Sequence, residues 1–535
     1  MASDQAAPAT TFFSRKATGL VRESSLLHTA AFNILNVTIA YAILYPALFA
    51  WQFPGSNLLL AGVLAVGAFV PLGICYALIV AAMPRAGSDY VFLSRVFHPV
   101  VGFILSVVFI VWVCYWSGIG VNYFFTLGLA PQMPVLGHDS WGTFFSGHTA
   151  VILMGAAALV VLAVITAIST RLALRVLTVL VVVGILSTVI AGVVLLTVGH
   201  SDFIHSFNTF AKPYTHSNDS YHQVIAQAKK DGYNPGHSFA LGATFSLLPW
   251  FATAFLYIAG QAALGGEIKR PARNSFLAIY ITLGAMLSLV LLVFLGLGVG
   301  VSNTFNNSAS YVALNDPAHW PLPNAPNYNF LATIAVSNSA LRWIMTISFA
   351  IWYLPGPILN YIFISRYLMA TSLDGILPQQ LSAVNPRTHT PIRALAIGAV
   401  AAIASLIILT ERGHLQTLMS AVLGELIGAY LLVSIGAIAF PLLKRTRQTY
   451  RASPANITVG GLPLMSIMGT LSTVFLLGFA WAFWTKTDYG VNSNWSKAMV
   501  FIIPAAAITV YALSWAWHRM RDEDLSLAFK EIPPE

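Results

Sequence analysis

The chain has 535 residues, of which 57% are hydrophobic and only 8% are Asp, Glu, Lys or Arg, and its mean hydropathy is +0.75. So much apolar surface excludes a single water-soluble globule, and a bilayer is the solvent that accommodates it. A +9 formal charge is compatible with a nucleic-acid partner, but its placement along the chain explains it as a topology signal instead.

Twelve membrane-spanning helices are predicted, at about 26–50, 58–80, 97–127, 150–168, 173–197, 238–262, 275–299, 340–363, 392–409, 416–440, 462–485 and 497–518. Each run approaches the roughly 20 apolar residues a helix needs to cross hydrocarbon. Runs such as VILMGAAALVVLAVITAI (151–168) lack the alternation of a barrel strand. The expected class is therefore an all-α polytopic membrane protein, with a tail at 1–25 and another at 519–535. The polar start predicts no cleavable signal peptide. An even span count puts both termini on one side. Of the 27 Lys and Arg residues, 20 fall on that side and 7 on the other, which predicts cytoplasmic termini in a plasma membrane.

Two segments on the opposite side, 198–237 and 300–339, are expected to be long loops rich in Asn, Ser, Tyr and His, either surface loops or a cap over a vestibule. Asn218-Asp219-Ser220 and Asn306-Asn307-Ser308 are weak glycosylation signals there. Cys75 and Cys114 lie inside apolar runs and read as packing residues with no disulfide framework.

In chain order, the first span clusters Asn33, Asn36 and Thr38 in AFNILNVTIAYAILYP (31–46). The third offers Trp116, Ser117, Gly118, Asn122 and Tyr123, with the small residues permitting close helix approach. In the sixth, LGATFSLLPWFATAFLY (241–257), Thr244, Ser246, Pro249 and Thr253 interrupt the apolar run, beside Trp250. Pro249 removes an amide donor, which predicts a kink or a break. The eighth carries Trp352, Tyr353, Pro355, Gly356, Pro357 and Asn360. In the tenth, Glu425 is the one carboxylate placed well within a span. It is either a proton-coupling group or a protonated structural acid.

Three loops on the N-terminal side carry compact charged stretches: MPRAGSDYVFLSRVFHPVVGF (83–103), GGEIKRPARNS (265–275) and SRYLMATSLDGILPQQLSAVNPRTHTPIRAL (365–395). Arg85, Asp89, Glu267, Lys269, Arg366 and Asp374 can pair across these loops as a gate, or stand as solvated loop ends obeying the positive-inside bias. In order and spacing the three passages resemble the signatures of amino acid transporters of the amino acid-polyamine-organocation superfamily, over roughly residues 20–445. The resemblance implies a ten-helix core at 26–440, built from two five-helix repeats of inverted topology (about 26–197 and 238–440), with two further spans at 441–518. It also implies that the first helix of each repeat is broken at mid-membrane, where unpaired backbone groups hold a zwitterion. At the expected glycine-rich break this chain has Thr38-Ile39-Ala40-Tyr41, and the corresponding glycine of span six falls near Tyr257. Both departures would reshape the cavity.

Asn33, Asn36, Thr38, Ala40, Tyr41, Ser117, Asn122, Ser246, Trp250, Thr253 and Asn360 are accordingly the candidate substrate-binding residues. Span five has no interior lysine to stand in for a sodium ion. Proton coupling through Glu425 leads, and sodium is the alternative. The expected function is secondary transport of amino acids or related amines, with neutral ones favoured by the scarcity of intramembrane acids. Exchange or facilitated transport, a channel and a membrane-bound sensor are the alternatives. No nucleotide-binding loop, zinc-spaced histidine pair or nucleophile elbow is present, so no enzyme, metal or organic cofactor is expected. The bilayer-facing surfaces are uniformly apolar, so no oligomer interface stands out.

Overall fold

A computed structural model describes residues 20–234, 238–322, 326–412, 416–489, 494–523, 525 and 529. Ten segments are long and apolar enough to cross a membrane, close to the expected positions. The eighth expected span is not continuous. It consists of α15 (Ser339–Ala350) and α16 (Gly356–Leu373), separated by a turn. The tenth is α18 (Gln416–Ala439); its portion Leu426–Ala439 lies at 82° to the short α19 (Lys444–Ala452). The architecture is all-α, and the only sheet among the described residues is a hairpin of β1 (Thr458–Val459) and β2 (Leu462–Pro463). Gly460 and Gly461, both at positive φ, make its two-residue turn.

The core gathers around the first, second, third, seventh and eighth spans: α1 (Leu26–Val37), α3 (Leu58–Ala82), α5 (Pro99–Tyr123), α12 (Pro271–Gly296) and α16. α7 (His148–Ile168) and α8 (Thr170–Thr197) turn residues such as Leu153 and Val179 outward, as do α20 (Leu464–Thr485) and α21 (Asn494–Arg519) with Val474 and Phe501. In lipid such exposure costs little, because the tails are as apolar as the side chains. α20 packs on α18 and α3, and α21 on α5 and α18, so the last two spans flank the core.

The two segments expected as loops are largely helical: α9 (His200–Thr215), α10 (Ser220–Lys230), α13 (Asn303–Asn315) and α14 (Tyr328–Ile334). Tyr221 stacks on Phe305 at 4.1 Å, and its hydroxyl donates to the Val301 carbonyl. Asn306 is buried, and its amide nitrogen donates to the Ala47 carbonyl at 2.9 Å. That nitrogen is the atom a glycan would need, so the Asn306 glycosylation signal is structural in this fold. The same bond ties the cap to α2 (Ile39–Phe49), satisfying a carbonyl at the helix end.

Candidate functional site

The first span breaks at one residue. Thr38 adopts φ 48, ψ 74, in the left-handed region, and separates α1 from α2. Its N–H donates to the Ile34 and Leu35 carbonyls, while its Oγ1 closes on the Leu35 carbonyl at 2.7 Å. A β-branched residue in this region is strained, and these bonds offset part of that cost. The sixth span breaks too, though not at Pro249, which sits inside the intact α11 (Leu241–Phe255). The chain tightens afterwards into a 3₁₀ stretch, Leu256–Ala262.

A pair of asparagines fastens the two broken spans together. Asn36 donates to the Tyr257 carbonyl at 2.6 Å. Asn33 and Gln261 exchange two bonds, from Asn33 Nδ2 to Gln261 Oε1 at 3.1 Å and from the Gln261 N–H to Asn33 Oδ1 at 2.8 Å. Gly260 makes the approach feasible, since a Cβ there would meet Asn36 at 2.8–3.0 Å.

A third break falls in span eight, where tight turns carry the chain through Ile351–Leu354 before α16 restarts behind Pro355. Trp352 is buried there; its indole N–H donates to Thr188 Oγ1 at 2.9 Å, and its ring lies where a side chain on Gly184 would stand.

The three breaks meet at a cavity of about 60 Å³. Asn36, Thr38 and Tyr41 line it from span one, Trp112, Trp116 and Gly120 from α5, Thr253 and Tyr257 from span six, and Trp352, Tyr353, Gly356 and Asn360 from span eight. None of the lining residues is charged. α1 ends at this wall, while α2 and α16 begin there, so the carbonyl-rich end of α1 and the amide-bearing start of α2 converge with the positive dipole end of α16, where Pro355 and Pro357 carry no N–H. The remaining wall is aromatic. Tyr41 lies 5.3 Å from Trp116 and 5.4 Å from Tyr353, and Trp112 stacks on Tyr257 at 5.3 Å. The Tyr41 and Tyr353 hydroxyls are buried without a hydrogen-bond partner among the described residues.

Tight side-chain contacts lie on either side of the cavity. On the far side, Trp250 stacks on Phe49 at 3.9 Å and 8°, and its indole donates to Gln52 Oε1 at 3.2 Å. On the N-terminal face, Arg366 grips Glu267 with Nε–Oε1 at 2.7 Å and Nη2–Oε2 at 3.0 Å, and also donates to Ser365 and Thr170 hydroxyls. Arg95, on α4 (Ser88–Val96), grips Asp374 in the same two-pronged way at 2.6 and 2.9 Å, and the Tyr90 hydroxyl donates to Asp374 at 2.7 Å. Bidentate guanidinium–carboxylate contacts of this kind are directional as well as strong. Ser24 pairs with Ile268 in a parallel bridge, drawing the segment before α1 across this face.

The amino acid permease family matches residues 26–508. The chain belongs to that family. No curated protein matches it. The permease is thus a multi-pass membrane transporter for amino acids, and the family points to transport rather than catalysis.

Of the candidate substrate residues, the permease brings Asn36, Thr38, Tyr41, Thr253 and Asn360 to the cavity. The other six lie elsewhere. Asn33 is spent on Gln261, Ala40 is buried in α2, and Ser117 bonds the Val113 carbonyl beside Gly118, which packs against α17 (Ile392–Arg412). Asn122 donates to Thr410, Ser246 is exposed on α11, and Trp250 stacks on Phe49 away from the cavity lining. Among the gate candidates, Lys269 is exposed on the N-terminal face, whereas Arg85 donates to the Pro84 carbonyl. Glu425 lies on α18, with its side chain outside the described residues. Arg95 and Trp112 had not been singled out. The Pro355-Gly356-Pro357 run was the available signal for the third break.

Proposed function

We propose that the permease is a secondary transporter of small neutral amino acids, working by alternating access and driven by protons, with its termini in the cytoplasm and its spans in the plasma membrane. One observation carries this reading: two helix N-termini and one C-terminus converge on a cavity whose lining is uncharged and largely aromatic. The ends of α2 and α16 suit a carboxylate, the end of α1 suits an ammonium, and the rings suit an apolar side chain. A zwitterion brings both charges, so a wall of dipoles without fixed charge matches it; a cationic substrate would leave a net charge uncompensated. The cavity's size favours small side chains in the closed state.

The Arg366–Glu267 and Arg95–Asp374 pairs act as the inner gate, and the Phe49–Trp250 stack as the outer one. Glu425 is the proposed proton-coupling group. Purified protein in liposomes, offered a panel of radiolabelled amino acids under separate proton and sodium gradients, tests this. Saturable uptake of Gly, Ala or Ser that follows the proton gradient is expected, with Glu425→Gln losing accumulation but keeping exchange. Absence of saturable uptake for every amino acid by folded protein refutes transport, and unchanged proton-driven uptake in E425Q removes Glu425 from the mechanism.

A further inference from the structure

Among the described residues three acids are buried on the N-terminal face, and an arginine neutralises two of them. Glu267 and Asp374 each hold one, while Asp89, 1% exposed, has no ion pair among the described residues. Its oxygens accept from the Tyr367 hydroxyl at 2.7 and 2.9 Å, from the Tyr76 hydroxyl at 3.4 Å and from the Tyr90 backbone N–H at 2.9 Å. All of these donors are neutral. A carboxylate removed from water without a cation is unfavourable, and taking up a proton relieves it.

The elements packed most closely on α4 are α3, α5, α16 and α18. Tyr76 faces Asp89 from α3, Tyr367 from α16 and Tyr430 from α18. α5 packs on α4 through Gly102, against Tyr90 and Ser94. On α4 itself, Tyr90 and Arg95 are committed to Asp374.

The position of Asp89 gives it leverage over both clamps. Tyr367 directly follows Arg366, the cation of one clamp, and Tyr90 directly follows Asp89 and donates to the acid of the other. Just before Asp89, the Gly87 N–H reaches the Ala263 carbonyl, and Ser88 lies so close to Gly265 that a side chain on that glycine would collide with it. Gly87, Ser88 and Asp89 together therefore join α4 to the inner end of span six and the inner half of span eight.

We propose that Asp89 is a proton-binding site of the inner gate, protonated while enclosed by the three tyrosines and ionised once the gate opens and water reaches it. In acid the closed gate then holds up to one more proton than the open gate, so acid on the N-terminal face favours closure. Burial pushes the Asp89 carboxyl up to about 6, against the pull of the Tyr367 hydroxyl. With an ordinary carboxyl value in the open gate, acidification from about pH 7 to about pH 5 shifts the gate roughly tenfold toward closed. The effect on uptake rests on the transport reading above; the proton site itself does not.

Infrared titration of the full-length protein in liposomes separates the two. A protonated-carboxyl band fading with a midpoint near pH 6 is expected, absent from Asp89→Asn. Tyr367→Phe should move that midpoint to higher pH, because it removes the strongest donor to the carboxylate. Uptake should slow about tenfold when the N-terminal face goes from pH 7 to pH 5, and D89N, permanently neutral, should be slow at both. A band unchanged in both variants overturns the site, and a pH profile of uptake that D89N leaves unaltered overturns its control of the gate. A band that titrates as expected in protein that transports nothing supports the site and sinks the transport reading instead.

Discussion

Glu267→Gln isolates the energetics of the inner clamp, because it keeps the side chain's shape and removes its charge. Arg366, fully buried, would then be a cation facing a neutral amide, still bonded to Ser365 Oγ at 3.0 Å and Thr170 Oγ1 at 2.8 Å. Breaking one side of a buried ion pair costs about 3–5 kcal/mol. The surviving hydroxyl contacts, and one bond that Gln can still accept, place the expected loss near the lower limit, about 3 kcal/mol. Arg366→Met leaves Glu267 as the uncompensated charge and should cost a comparable amount. The double variant removes both charges, so its loss should fall short of the sum by at least about 1.5 kcal/mol. Equilibrium unfolding of the four proteins in mixed micelles measures each term. A loss below about 1 kcal/mol for E267Q, or single losses that add to within about 0.5 kcal/mol, would refute the pair as an interacting buried unit.

Thr38→Gly should leave stability unchanged or raise it by up to about 1 kcal/mol in the same titration, since glycine accepts the left-handed region without strain. Thr38→Val keeps the strain and loses the bond to Leu35, so about 1 kcal/mol should be lost. Gly260→Ala drives a methyl into Asn36 and should reduce uptake at least about tenfold, equivalent to about 1.4 kcal/mol on the transport cycle. Gly284→Ala, at a glycine with open space around it, should transport normally. For Asp89 the folded pKa, about 6, exceeds the model-peptide value of 3.8, so the native state binds more protons than the unfolded state between those limits. Wild-type stability relative to D89N should therefore fall by about 2.4 kcal/mol as pH rises from about 4 to about 7, and a gap that does not vary with pH would contradict that sign.

The span positions were legible because twenty-residue apolar runs have few alternatives in a chain with so little charge. The cap was not, because the apolar spacing of Phe203, Phe207 and Ala211 is diluted by Asn, Ser and His that read equally well as loop. Pro249 drew attention away from the true break in span six. A proline removes one bond and a helix can continue past it, whereas the 3₁₀ stretch after Phe255 is held by partners more than 200 residues away in sequence. Asn33 and Asn36 are on adjacent turns and looked alike, yet only Asn36 reaches the cavity wall; no spacing rule separates them. Arg95 was visible as a positive charge but not as a clamp, because its partner Asp374 comes from a distant loop.

Fixed charge and the proposed recognition cavity are kept apart along the membrane normal. The cavity relies on helix ends and ring faces at a depth where an uncompensated charge is costly, while acids and arginines meet at the N-terminal face. The link between them is the 3₁₀ stretch, fastened to Asn36 at Tyr257 and leading after Ala262 to Glu267. Were a ligand drawing on the backbone around Thr38 to displace Asn36, the Tyr257 carbonyl and the close Gly260 contact would pass that movement to the segment that carries the clamp's carboxylate. Loosening that contact should therefore uncouple substrate occupancy from gate opening before it abolishes binding, since Thr253, Tyr353 and Asn360 remain in place on the other walls.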